Sequence, residues 1–160
     1  MATSIPNLAS SDNDRSVISS RLFTLAEYRK LAEVGVLSEA DRVELIDGVI
    51  SPKRIHSPIH DAMVSWFEQR LRPCLLPGWF FRIQSSVTLS DSSEPEPDLA
   101  VVRGAPLTYL HQHPRGSDVD LVIEIAETSL GRDRFKASGY ASANIPVYWI
   151  VNLPQQRIEC

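Results

Sequence analysis

The chain has 160 residues, 43% hydrophobic and 22% charged, with a formal net charge of −4; that is one ordinary domain with a single core. No apolar run reaches transmembrane length and residues 1–20 lack the apolar middle of a secretory signal, so the default is a cytoplasmic chain with no membrane partner. The acidic balance counts mildly against a protein that coats nucleic acid electrostatically, though a local basic face remains compatible with it.

Residues 1–20, rich in Ser, Asn and Asp, show no period and read as a disordered tail; residues 21–160 follow as one domain without internal repeats. Thr24-Leu25-Ala26-Glu27 has the form of a capping box, in which hydroxyl and carboxylate each satisfy a free amide at a helix start. Leu25, Tyr28, Leu31 and Ala32 continue at helical spacing, and Gly35 supplies a stop. Asp47-Gly48 within Val43 to Ile50 signals a hairpin, which gives Glu44 a defined face. Ser57 caps a second helix with Pro58 at its first position. Ile59, Met63, Trp66, Phe67 and Leu71 make its apolar face, and Pro73 marks its end.

Trp79 to Leu89 reads as a strand, Asp91 to Glu96 as a polar turn, and Leu99 to Val102 as a strand covered on both faces. Ala105 to Ser117 reads as a loop with a helical turn near Leu107. Leu121-Val122-Ile123 is a further buried strand, ended by Glu124. Thr128 or Ser129 caps a helix that runs to about Ala143, Asn144 stops it, and Val147 to Val151 is the next strand. Arg157 to Cys160 looks like the opening of another strand, so the expectation is of a domain that lacks its C-terminal end. Helix, hairpin, helix, three strands, helix and strand together predict an α/β domain, a mixed sheet flanked by helices. Cys74 and Cys160 lack metal-ligand spacing and are read as thiols without function.

Asp98 stands at the mouth of one predicted strand and Glu124 at the end of another. A carboxylate beside a buried run has to be hydrated, paired or bound to a cation. Two of them brought together repel, which a divalent ion that favours hard oxygen, Mg²⁺ or Mn²⁺, relieves. Taken singly, each is better explained as a solvent-facing residue at a strand terminus. Asp133, Lys136 and Tyr140 are spaced three and four apart and share one helix face. Turned towards the strand ends, Lys136 would assist a nucleophile or stabilise charge developing on a phosphate. Turned away, it is an exposed lysine pairing weakly with Asp133, and spacing alone does not choose.

Six segments, taken together and in order, resemble one family: Glu44-Leu45-Ile46-Asp47-Gly48, Ser57-Pro58-Ile59-His60, Glu96-Pro97-Asp98-Leu99, Leu121 to Ile125 with Thr128-Ser129, the Asp133…Lys136…Tyr140 helix, and Ile145-Pro146-Val147-Tyr148-Trp149-Ile150-Val151. They look like the Uma-two family within the PD-(D/E)XK nuclease superfamily, over roughly residues 22–160. The resemblance implies a restriction-endonuclease-like mixed β-sheet flanked by α-helices, with the site where its central strands diverge. It makes Asp98 and Glu124 the two acids and the backbone carbonyl of Ile125 an additional metal ligand. Ala126 stands where the superfamily's plain pattern has lysine, so the lysine has moved to the following helix as Lys136. Glu44 resembles a further acid drawn from the N-terminal part of the fold, able to orient a metal-bound water. His60, in the family's Ser-Pro-x-His position, is a phosphate contact, a carboxylate's partner, or a capping or packing histidine. Gln84 would point along the sheet into the cleft. Tyr148 and Trp149 face opposite ways, one to the core and one to a helix or subunit contact. His111 and His113, with no further ligands nearby, are loop residues.

The leading expectation is therefore a Mg²⁺- or Mn²⁺-dependent endonuclease that hydrolyses phosphodiester bonds of nucleic acid, DNA first, and works as a homodimer. Its catalytic set is Glu44, Asp98, Glu124 and Lys136, its metal ligands Asp98, Glu124 and Ile125, and its supporting residues His60, Gln84 and Tyr140. The alternative is a catalytically inactive nuclease-fold module that binds nucleic acid or a protein partner. A structural protein built for dimerisation ranks third.

Overall fold

The computed structural model of the protein describes residues 20–53 and 55–160. The expected tail thus lies outside the described residues, apart from Ser20. Helix α1 spans Leu25–Glu33 and opens on the full capping box, with Glu27 N donating to Thr24 Oγ1 at 3.3 Å and Thr24 N to Glu27 Oε2 at 3.0 Å. Strands β1 (Val43–Ile46) and β2 (Val49–Pro52) form a two-residue hairpin. Its turn places Asp47 at φ 48° and Gly48 at φ 79°, the doubly left-handed conformation that Asp-Gly favours because it matches the strands' twist.

Helix α2 (Pro58–Leu71) is capped by Ser57, whose Oγ accepts from His60 N at 3.2 Å. Its apolar face is turned from the expected one. His60, Val64 and Phe67 are buried, while Ile59 and Trp66 are exposed. The helix rests on the sheet along the stripe 60–64–67, so that a histidine takes the place of Ile59 at the inner end.

Strands β3 (Trp79–Ile83), β4 (Leu99–Arg103), β5 (Val119–Ala126), β6 (Val147–Asn152) and β7 (Arg157–Glu159) form one sheet in chain order. Only β5 and β6 run parallel, and helix α3 (Leu130–Ser142) makes the crossover between them. Two strand boundaries differ from expectation. β3 stops at Ile83 because Gln84 takes a φ of 45°, after which the chain leaves the ladder. β5 continues past Glu124 to Ala126, since β6 pairs with it as far as Ala126↔Asn152. Glu124 is therefore inside a strand.

Period-two alternation divides the core. Phe81, Leu99, Val101, Ile123 and Ile125 meet Val64 and Phe67 of α2 on one face. Ala100, Val102, Val119 and Val122 meet Tyr140 and Ile145 on the other. Trp149 packs against the first cluster and Tyr148 against the second, as their opposite directions require. No helix among the described residues is long and apolar enough to cross a membrane.

Gly116 marks a tight closure between the loop before β5 and the end of α3. A Cβ there would lie 2.3 Å from the Ala143 carbonyl oxygen and 2.6 Å from its Cβ. Gly116→Ala is therefore expected to destabilise the fold by about 1–3 kcal/mol through overpacking. Urea unfolding checks this, and an unchanged midpoint would contradict the contact.

Candidate active site

β4 and β5 are antiparallel, with Leu99 opposite Ile123. Asp98, one residue before, and Glu124, one after, consequently fall side by side where β4 begins. The Asp98 amide donates to Glu124 Oε2 at 3.3 Å, and the Ile125 amide donates to Asp98 Oδ2 at 2.7 Å. The two acids thus converge, as expected. Ile125 also meets the carboxylate of Asp98, but through its amide rather than the carbonyl.

Glu124 shares the sheet face of Val122, the side covered by α3. The only buried residues of that helix are Asp133, Lys136 and Tyr140, a polar inner stripe. Lys136 Nζ and Tyr140 Oη, four residues apart, both donate to Glu124 Oε1 at 3.0 Å. Asp133 Oδ2 accepts from Ser129 Oγ at 2.5 Å, so Ser129 holds the N-cap position with its hydroxyl given to a carboxylate instead of a backbone amide. Tyr148 Oη donates to the Asp133 carbonyl at 2.8 Å.

Glu44, 3% exposed, enters from β1. One oxygen lies 3.2 Å from Lys136 Nζ and 2.6 Å from Arg132 Nη2; the other accepts from the Glu96 amide at 2.9 Å. Glu44 is thereby occupied in holding Lys136 and Arg132. Arg132 also bonds the Pro52 carbonyl and so ties α3 to the hairpin.

His60 reaches Asp98 from the opposite layer, Nε2 to Oδ2 at 3.0 Å, which selects the carboxylate-holding role among the three open to it. His56 stacks on it with ring centroids 4.2 Å apart, and Gln84 Nε2 lies 2.9 Å from His56 Nδ1. Apart from Tyr140 and Tyr148, these side chains line one cleft of about 930 Å³.

His56 and Arg132 were not singled out from the sequence. His56 precedes the helix start, so helical spacing could not relate it to His60; Arg132 is one of three basic residues on α3 and only its reach to the hairpin distinguishes it.

The electrostatics are those of crowded acids. Burial pushes the Glu124 carboxyl up to about 8, an effect that the Lys136 charge opposes and Asp98 reinforces. Burial works against the Lys136 ammonium as well, yet Glu124 and Glu44 outweigh it and the lysine is held protonated more firmly than in water. Asp133 is also raised, chiefly by burial. The hydrogen bond to Asp98 raises His60, whereas burial lowers His56. Four buried carboxylates, Glu44, Asp98, Glu124 and Asp133, thus surround a single buried ammonium, with Arg132 reaching in from the rim. Hard oxygen donors in excess of cations fit a divalent ion.

The family model "Uma2: Putative restriction endonuclease" matches residues 25–160. The chain belongs to the Uma2 family. Among solved structures, this Uma2 protein is similar to one described as the "Crystal structure of a putative nuclease belonging to DUF820 from Anabaena variabilis". That likeness has a TM-score of 0.61 and 18% identity, over 86% of this chain and 83% of the other. At that identity it shows the fold, a nuclease-like mixed sheet with flanking helices. No protein of curated description matches the chain.

The raised carboxyl of Glu124 has a measurable consequence in metal-free buffer. A group that holds its proton more tightly in the folded chain favours folding when protonated. Its contribution is complete below the unfolded value of 4.5 and is lost as pH rises through about 8. Unfolding free energy in EDTA should therefore fall across this window, with a shallower fall in Glu124→Gln. Identical pH slopes for the two proteins would refute the assignment.

Proposed function

We propose that this Uma2 protein is a metal-dependent endonuclease that cleaves phosphodiester bonds, with DNA as its substrate. The observation that carries the reading is the convergence of Asp98, just before β4, with Glu124 of β5 and Lys136 of α3 on one open cleft. Family membership supports a nuclease; the ion, the substrate and the residue roles are our reading.

Asp98 and Glu124 would hold Mg²⁺ or Mn²⁺ through carboxylate oxygens. When bound, such an ion offsets phosphate charge and makes an attacking water more acidic. Lys136, kept protonated by Glu124 and Glu44, is unsuited to be a general base and instead stabilises the negative charge that builds on phosphorus-bound oxygen. Tyr140 fixes the second acid through its hydrogen bond to Glu124 Oε1. Glu44 positions Lys136, and His60 holds Asp98.

Plasmid and single-stranded DNA incubated with Mg²⁺ or Mn²⁺ should be cut, and EDTA should stop the reaction. Asp98→Ala and Lys136→Met should each lower the rate at least about 100-fold while circular dichroism shows the fold intact. Equal background from wild type and Asp98→Ala under every condition would leave the alternative, a non-catalytic module.

A further inference from the structure

The carboxylate pair is one side of Asp98; the other side carries two imidazoles. His56, His60 and Asp98 each present a ligand atom, and these lie within 4.8 Å of one another. The geometry points to a cation centre at Asp98 that draws nitrogen ligands from His56 and His60, and so takes a first-row transition-metal dication in preference to Mg²⁺. This rests on the reading of Asp98 as a metal ligand and extends it to His56 and to a second task for His60.

Three observations support the nitrogen side. First, His60 is 8% exposed, and its Nδ1 has no hydrogen-bond partner among the described residues. A buried polar nitrogen left unpaired is costly unless a further group completes the site. Second, the two rings stack at an interplanar angle of 19° with centroids 4.2 Å apart, which brings two imidazoles together at one end of α2. Third, Asp61 Oδ1 lies 3.5 Å from Nδ1 of both rings. At that distance the carboxylate adds negative charge beside both rings, which favours a cation there. The Gln84 amide faces Nδ1 of His56 and Asp98 faces Nε2 of His60, so Nδ1 is the nitrogen of His60 without a hydrogen-bond partner among the described residues.

The donor set then decides the ion. Imidazole suits transition metals, while Mg²⁺ keeps to oxygen and to its own waters. Ligand bonds of about 2.1 Å need donors roughly 3–4 Å apart, so the three atoms have to draw in by about 1 Å. His56 can supply that movement, because it stands before the helix and, among the described residues, is held by Gln84, the ring stack and the longer contact to Asp61.

Mn²⁺ titrated into the whole chain and followed by electron paramagnetic resonance tests the centre, since coupling to imidazole nitrogen is visible without any turnover. Wild type should bind Mn²⁺ with nitrogen coupling and resist displacement by a ten-fold excess of Mg²⁺. His60→Ala and His56→Ala should each weaken or remove the coupling and lower affinity at least about ten-fold. His56 lies outside the helix, so its variant keeps the test usable if His60→Ala does not fold. Glu124→Gln should retain nitrogen coupling. Mn²⁺ bound through oxygen alone, or coupling unchanged in both histidine variants, overturns this proposal and leaves the carboxylate site standing. No Mn²⁺ binding by wild type overturns both.

Discussion

Lys136 Nζ lies 3.0 Å from Glu124 and 3.2 Å from Glu44, and that one ammonium joins three segments far apart in the chain. β5, α3 and the β1–β2 hairpin each contribute one member of the group. Both carboxylates and the lysine are buried, so none of them can turn to water if a partner is lost. Desolvation opposes such a pair as strongly as attraction favours it, so the group is a weak source of net stability. Its effect is on geometry. The hairpin, the central strand and the crossover helix can pack in only one register without stranding a charge.

Stability comes from the two apolar layers on either side of the sheet. Val64 and Phe67 of α2 cover one face, and Tyr140 with Ile145 covers the other. The polar groups collect beyond the paired start of β4, where those layers thin out. Glu124 and Tyr140 lie at the boundary. Each belongs to a regular element, and their hydrogen bond carries the rigidity of the core into the cleft. Asp98 stands just outside the ladder, fixed by the Ile125 amide and by His60.

That placement gives the cleft two chemically different sides around Asp98. Towards α3 are further carboxylates and a permanent ammonium, a setting suited to phosphate and hard cations. Towards α2 are two imidazoles and the carboxylate of Asp61. The crowding of acids holds Lys136 charged and burial, reinforced by the neighbouring acids, raises Glu124, so the site has a deficit of positive charge that a cation and a polyanion together would balance.

Local sequence determined which helices and strands this architecture contains, though not where each of them ends. The capping box at Thr24, the left-handed Asp47-Gly48 turn and the Ser57-Pro58 helix start depend on contacts within four residues, so they are legible without the rest of the chain. The same holds for the shared face of Asp133, Lys136 and Tyr140, which follows from helical spacing alone. Tertiary structure decided where that face points, how far β5 extends, and which stripe of α2 is buried. It also decided that Glu44 holds Lys136 and that His56 meets His60. Those outcomes depend on pairing between β5 and β6 and on packing between layers, across separations of 12 residues for Lys136 and Glu124 and 38 for His60 and Asp98. A single chain read in order carries the propensity of each segment, but the energy of bringing distant charges together exists only once the fold has removed the water between them.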